Sequence, residues 1–490
     1  MSKNYLCVHG HFYQPPREDP FTGMIPSEHG AKPFRNFNEK ITAECYRPNA
    51  SANNFAHISF DLGPTLASWL EKAHPDVLRK IVALENDHWS RYKVSNALAQ
   101  PYNHTILPLG NDRDRWTQIK WGIADFEARF GRKPHGMWLP ETAVDLRTLA
   151  ILEQCGMTYT ILAPWQAKWN VDVTQPYTVR LPGGRTLTVF FYDAGLSGHT
   201  SFQDHETINA DTFVAKYLAR KQGLTLIATD GELYGHHKAF RDHFLSHLVK
   251  NAAPHQGIEV ITLERYIKLH PPTQEMEIHD QSSWSCFCGG LARWDTGCGC
   301  PESGGKSSWK PALRRALDTL SQRAYQQFEE ETRPALPAMW LARDDYVALR
   351  HGLITEDAFW RKHGKDARKP DNRGLVWKTR LLLEAQYYLQ QSFTSCAWYW
   401  GSANRIEPIN AIKFATRGID LIRRATGVNF SPDFLRDLQQ IQEYRTPFWR
   451  GATFSLAAWE HIFHCMVRSF LKGLGSIKSK IGSERRRKVQ

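Results

Sequence analysis

From its first residues to about residue 270 the chain alternates short β-rich segments with amphipathic helical ones. That alternation is the pattern of parallel βα units, so the expected architecture is α/β, a barrel or a layered sheet. Tyr5 to Val8 opens it as a strand. Over residues 112–130, Trp116, Ile119, Ile123, Phe126 and Phe130 recur at steps of three and four, with Asp112 and Asp114 near the start and Gly131 just past the end, which predicts a helix with one buried face. Gly136 to Leu139 reads as a short buried strand, Asp145 caps a helix ending at Gly156, and Thr158 to Ala163 returns as a strand. Tyr177 to Leu181 and Arg185 to Tyr192 flank Pro182-Gly183-Gly184 as a β-hairpin. A helix over Ala210 to Gln222, a strand over Leu224 to Ala228, the polar turn Thr229 to Glu232 and a strand over Ile258 to Leu263 follow.

Beyond residue 310 the periodicity is almost wholly helical, clearest in Trp340 to Leu349, Lys378 to Gln391, Ile409 to Arg424 and Leu456 to Lys472. With 490 residues, two or three domains are expected. We divide the chain into a catalytic barrel-like domain at 1–270, a Cys-, Trp- and Gly-rich loop junction at 271–310, a helical domain at 311–480 and a basic tail at 481–490. The aromatics Trp398 to Trp400 and Trp449 could extend a groove, but exposed tryptophans are scarce, so a core role for them is preferred. The formal charge of +12 is partly carried by the basic tail, a solvated terminus, and no nucleic-acid partner is expected. The sequence has no run of 18 apolar residues and opens without a signal-peptide apolar segment, so a cytoplasmic protein with no membrane partner is expected. Its nine cysteines would then stay mostly reduced. The oligomeric state is left open.

Reacting groups in barrels and open α/β sheets gather beyond the carboxyl ends of the strands. Four polar clusters fall at such places: His9-Gly-His11-Phe-Tyr-Gln14-Pro-Pro16, then His104 before Ile106-Leu107, then Trp138-Leu-Pro-Glu141, then Asp230-Gly-Glu232-Leu-Tyr-Gly-His236-His237. Two carboxylates on different strand ends are what glycoside hydrolysis with retention requires, one to attack the anomeric carbon and one to give and take back a proton. The His-x-His pair could equally ligate a metal or be satisfied core histidines.

The ordered set HGHFYQPP, WLPE and DGELYGHH resembles the N-terminal domain of glycoside hydrolase family 57, over roughly residues 5 to 300, and the whole chain resembles a branch of that family with its own helical C-terminal domain. The resemblance implies an incomplete (β/α)7 barrel followed by helices. It implies Glu141 as nucleophile and Asp230 as general acid/base, with His9, His11, Gln14, His236 and Trp284 around the sugar; His104 and Trp138, read from the clusters themselves, would likewise hold hydroxyls and a sugar face. Phe12 and Tyr13 separate His11 from Gln14-Pro15, a departure from the family's HxHQP-like start. The implied substrate is an α-glucan or oligosaccharide; known activities of the family are amylase, 4-α-glucanotransferase, branching enzyme and α-galactosidase. No cofactor and no catalytic metal is expected. A nucleophilic Glu141 must stay ionised near neutrality while Asp230 holds its proton, so their environments should differ.

Two rivals share these residues. In a metal-dependent polysaccharide deacetylase, His9 and His11 would bind a divalent ion, although the first strand lacks an early Asp-Asp pair. In a silent glucan-binding protein the aromatics would remain without working carboxylates. Separately, Cys286, Cys288, Cys298 and Cys300 form two CxC pairs nine residues apart, which are either structural zinc ligands or thiols filling a packed aromatic loop.

Overall fold

The computed structural model describes residues 3–286, 290–300, 307–364 and 373–441. The expected helix over Leu456 to Lys472, Trp449, Cys288 and the basic tail lie outside the described residues.

Among the described residues eight strands are formed: β1 Asn4–Phe12, β2 Ser59–Leu62, β3 Ala97–Leu98, β4 Tyr159–Leu162, β5 Tyr177–Arg180, β6 Thr186–Phe191, β7 Gly223–Asp230 and β8 Glu259–Val260. One sheet runs β3-β2-β1-β7 with β8 also on β1, and a second runs β4-β6-β5. All the ladders are parallel except the β5–β6 hairpin. The residues before Glu141 join the two sheets, through parallel bridges from Ala99 to Met137 and from Gly136 to Tyr159. Parallel order thus passes through β7, β1, β2, β3, the 136–137 segment, β4 and β6, and between β6 and β7 it continues through the bond from Asp193 N to Leu226 O, 2.8 Å. This is the incomplete (β/α)7 barrel the sequence implied.

The two-residue period of the strands explains both the core and the site. On β1, Leu6, Val8 and Phe12 face the helices outside, whereas Tyr5 and Cys7 pack into the barrel with Trp138, Tyr159, Ile161, Leu224, Leu226 and Ala228. Carried two and four residues further along the inward face of β1, the same period gives His9 and His11. Ser59 and Asp61 alternate likewise with the outward Phe60 and Leu62 on β2, and Asp230 follows Ala228 on β7. The registers set His11 beside Asp61 on one side and beside Asp230 on the other. An apolar plug therefore changes into a polar mouth at the carboxyl ends.

Several boundaries differ from the sequence reading. The ladder with β7 carries β1 on through His9 and His11, so the histidines stand within the strand and not after it. Residues 136–139 pair only through isolated bridges. The helix begun at Ala210 widens after Phe213 into a π turn, Val214–Leu218, with Ala219 N bonded to Val214 O. Only Glu259–Val260 pairs in the last strand, because a helix already starts at Leu263. Trp340 to Leu349 is broken at Asp345 into two short helices. The helices Asp112–Phe130 and Leu146–Gln154 form as read, the first closed by Gly131 at φ 68° and the second capped by the Asp145 carboxylate on Thr148 N.

The helical part is built on Trp309–Thr332, Arg373–Gln391 and Ile406–Thr426. Trp398 is fully buried in its core, as preferred above, while Trp400 is 38 % exposed. The same core takes in Tyr102 and Trp121 of the barrel. Trp121 Nε1 donates to Arg343 O at 2.8 Å, and Tyr13 and Thr394 share a hydroxyl–hydroxyl bond of 2.8 Å.

Candidate active site

Asp61, fully buried, bridges the two histidines of β1: Oδ1 is 3.2 Å from His9 Nε2 and Oδ2 is 2.9 Å from His11 Nδ1. His9 Nδ1 meets Ser59 Oγ at 3.1 Å, and His11 Nε2 meets His104 Nε2 at 3.1 Å. Burial works against an imidazolium at His11, but the Asp61 carboxylate, with Asp230 and Glu232 adding to it, outweighs burial and holds its pKa up at about 9. His9 is lowered, chiefly by burial, and His104 is driven well below the ordinary value by burial and by the charge on His11. The chain of donors follows: a cationic His11 donates one N–H hydrogen bond to the Asp61 carboxylate and one to neutral His104 Nε2, so His104 carries its own proton on Nδ1 and donates to Ser395 Oγ, 2.6 Å away. Trp138 stacks on both strand histidines, with ring centroids 4.8 Å from His9 and 5.1 Å from His11.

Glu141 ends the Trp138-Leu-Pro-Glu segment in the left-handed region, φ 57°, and Thr142 follows at φ 48°. Two consecutive side-chain-bearing residues there cost roughly 1–3 kcal/mol each and persist only where neighbours hold them. Gln166 holds this pair. Its Oε1 accepts from Thr142 Oγ1 and from Ala163 N, each at 2.8 Å, and its Nε2 donates to Thr142 O at 2.9 Å. The bend turns the Glu141 carboxylate toward the mouth, where Oε2 accepts from Trp284 Nε1 at 2.9 Å and Ser285 Oγ at 2.8 Å. Oε1 takes no hydrogen bond from the described residues. Desolvation raises the Glu141 carboxyl above its ordinary value, Asp230 pushes the same way, and the two hydrogen bonds and His11 pull it back.

Asp230 stands at the end of β7, exposed, and its side chain makes no hydrogen bond among the described residues. Two residues on, Glu232 is buried, with Oε1 accepting from Tyr46 Oη at 2.6 Å and Tyr13 N at 3.1 Å. Burial and the neighbouring Asp230 raise it to about 7 despite those bonds and His11. Tyr13 and Tyr46 thus close on one buried carboxyl, and glycine is needed at 235: φ is 134°, and a Cβ would collide with the Glu44 carbonyl oxygen.

The structure brings together His9, His11, His104, Trp138, Glu141, Asp230 and Trp284. His236 turns to other partners: its Nδ1 lies 2.6 Å from Glu44 Oε2 and its ring meets Phe37, while its neighbour His237, 5.1 Å away between ring centroids, lies within the field of Asp230. Gln14 is buried behind the mouth, where Oε1 accepts from Arg17 Nη2 at 3.1 Å. Sequence reasoning missed Asp61, Gln166, Ser285 and the engaged state of Glu232. The signal for Asp61 was a charge in the short run Ser59-Phe-Asp-Leu62; for Gln166 there was none.

The model of glycosyl hydrolase family 57 matches residues 8–279, and the model of a domain of unknown function (DUF3536) matches residues 306–454. Alpha-amylase 1 of Dictyoglomus thermophilum is 26% identical over 220 residues, a match spanning 42% of this chain but only 31% of that protein. Among solved structures, the exo-type maltose-forming amylase of Pyrococcus sp. ST04 superposes with a TM-score of 0.67 at 14% identity, covering 88% of this chain and 82% of its own. The GH57-type branching enzyme of Pyrococcus horikoshii gives 0.55 at 16% identity over 89% of this chain and 94% of its own. At such identities the superpositions speak for the fold alone. With the family model covering more than half of the sequence and its strand-end carboxylates present, the chain belongs to glycosyl hydrolase family 57.

Proposed function

We propose that this chain is a retaining enzyme acting on α-glucans by double displacement, a hydrolase or 4-α-glucanotransferase-like catalyst, with Glu141 as nucleophile and Asp230 as general acid/base. The observation that carries the reading is the asymmetry of the Glu141 carboxylate: both of its donors land on Oε2, leaving Oε1 to attack the anomeric carbon. Asp230, exposed at the end of β7 and near enough for its charge to act on Glu141, protonates the departing glycosidic oxygen and later takes the proton of a water or of a sugar hydroxyl. The Trp284 and Ser285 hydrogen bonds and the cation on His11 favour the ionised form of Glu141 and work against desolvation, which still leaves the carboxyl above its ordinary value. Trp138 and His9 are fully buried beneath the mouth, and the half-buried Trp284 sets its edge against Trp138 at 5.1 Å, leaving its own ring surface for a sugar face.

The α-glucan as substrate comes from family membership and from the named activities of the similar proteins. The deacetylase reading is disfavoured because the ring nitrogens it would offer a metal are engaged by Asp61, Ser59 and His104. Among the described residues no helix is long and apolar enough to cross a membrane. A cytoplasmic location is supported by seven cysteines among them that form no disulfide.

The test is incubation with maltoheptaose and amylose, wild type beside Glu141→Gln, resolving chain lengths and new reducing ends. Longer and shorter chains without new reducing ends mean transfer, and new reducing ends mean hydrolysis. Glu141→Gln is expected to lose at least about 10³-fold in rate while keeping its fold. Azide should restore turnover to Glu141→Ala by giving a glycosyl azide of inverted configuration. An unchanged rate in Glu141→Gln would remove it as the nucleophile.

A further inference from the structure

Between the two regions matched by family models, three cysteines that the proposed chemistry does not use come together. Cys286 follows directly on Trp284 and Ser285, and Cys298 and Cys300 close the turn that comes next. The three sulfurs, from two separate stretches of chain, lie within 4.8 Å of one another, and all three residues are buried. Simple filling of an apolar loop requires no such convergence. The backbone N–H of Arg293 is aimed at Cys286 Sγ, 3.3 Å away, a donor of the kind that steadies a thiolate. Gly297 makes the turn possible: φ is 87°, and a Cβ there would meet Ser307 N at 2.8 Å.

The charges around the loop match. Lys310 is fully buried, its ammonium donating to Arg293 O at 2.9 Å, and Cys286, Cys298 and Cys300 are groups whose negative charge it would feel. Thiolates would supply a counter-charge that neutral thiols do not. Arg293, also fully buried, ties the loop to the site, Nη2 donating to Ser285 O at 2.8 Å.

We propose that Cys286, Cys298 and Cys300 hold a zinc ion as thiolates, and that this ion clamps the loop presenting Trp284 and Ser285 to Glu141. Tetrahedral zinc with Zn–S near 2.3 Å sets sulfurs about 3.8 Å apart, so the cluster closes by about 1 Å or less, within the reach of side-chain rotation. Binding releases three protons to solvent and leaves the three thiolates and the ion with one net negative charge beside Lys310. The ion is structural, and no step of the reaction passes through it. The clamping half rests on the reading of Glu141 given above; the binding half does not.

The experiment uses the full chain, expressed with added zinc, purified under reducing conditions without chelator and with any histidine tag removed. Elemental analysis is expected to find about one zinc per chain, lost from Cys298→Ser/Cys300→Ser, and the cobalt-substituted wild type should show sulfur-to-cobalt charge-transfer absorption. Zinc below about a tenth of an equivalent, or a cobalt form without that absorption, overturns the site even where the double variant fails to fold. For the clamp, hydrogen exchange of wild type and Glu141→Gln is compared before and after chelation. Exchange at the Trp284 amide, which donates to Glu141 O at 3.1 Å, should quicken about tenfold in both. Zinc bound but exchange unaltered by its removal overturns the clamp alone, and turnover by Glu141→Gln overturns only the reading of the nucleophile.

Discussion

Asp61 sits between two histidines at 2.9 and 3.2 Å, with no exposure to water, and its carboxyl is held below its ordinary value by them despite burial. His11 titrates near 9 when folded and at its ordinary 6.5 when unfolded. Between those values the folded chain keeps a proton that the unfolded chain has released. The stability His11 contributes is therefore complete below pH 6.5 and is lost as the pH rises through 9. Asp61→Asn should lower the unfolding free energy near pH 6 by about 3 kcal/mol and flatten the slope from pH 6.5 to 9 in urea titrations at stepped pH. An unchanged slope would assign it to another group. Glu232, raised to about 7 from 4.5, acts in the same direction one window lower, so Glu232→Gln should flatten the fall in stability from pH 4.5 to 7. Neither role was legible beforehand. A polar residue alternating with apolar ones reads as a solvent-facing position, and nothing in Ser59-Phe-Asp-Leu62 says that the polar face looks into a barrel.

At the level of elements, legibility followed how local the cause was. The helix Asp112–Phe130 declares itself through a repeat of three and four, a side-chain cap and a terminal glycine, all within its own residues. The hairpin of β5 and β6 is equally local. By contrast, the full length of β1 is set by β7, some 200 residues away, and the turn at Glu141 by Gln166 and by the loop of Trp284. Gln166 binds Ala163 N, Thr142 O and Thr142 Oγ1 through one amide, so its replacement frees two left-handed residues at once. Gln166→Leu should cost about 2–3 kcal/mol in stability and lower kcat far more than it raises KM. A variant with wild-type kcat would show that the left-handed turn holds without its brace.

Over the whole molecule, the helical part completes the barrel wall. His104 donates to Ser395, Ser395 N donates to His104 O at 2.9 Å, and Tyr102 and Trp121 are buried in the helical core. The described chain should therefore unfold in one cooperative transition, with calorimetric and van't Hoff enthalpies agreeing, and cutting after residue 300 should leave an insoluble barrel. Two separated transitions would contradict this shared core. The apolar plug beneath the histidines has a further effect. Tyr5, Cys7, Tyr159, Ile161 and Leu226 fill the barrel below His9, so the floor has no drain. Nothing can pass through the packed barrel, so an arriving water and an arriving sugar both come from the carboxyl-end face. On the proposed reading of Glu141, the fate of a bound glucan is then decided on that face alone, by how long the departing piece of chain lingers there.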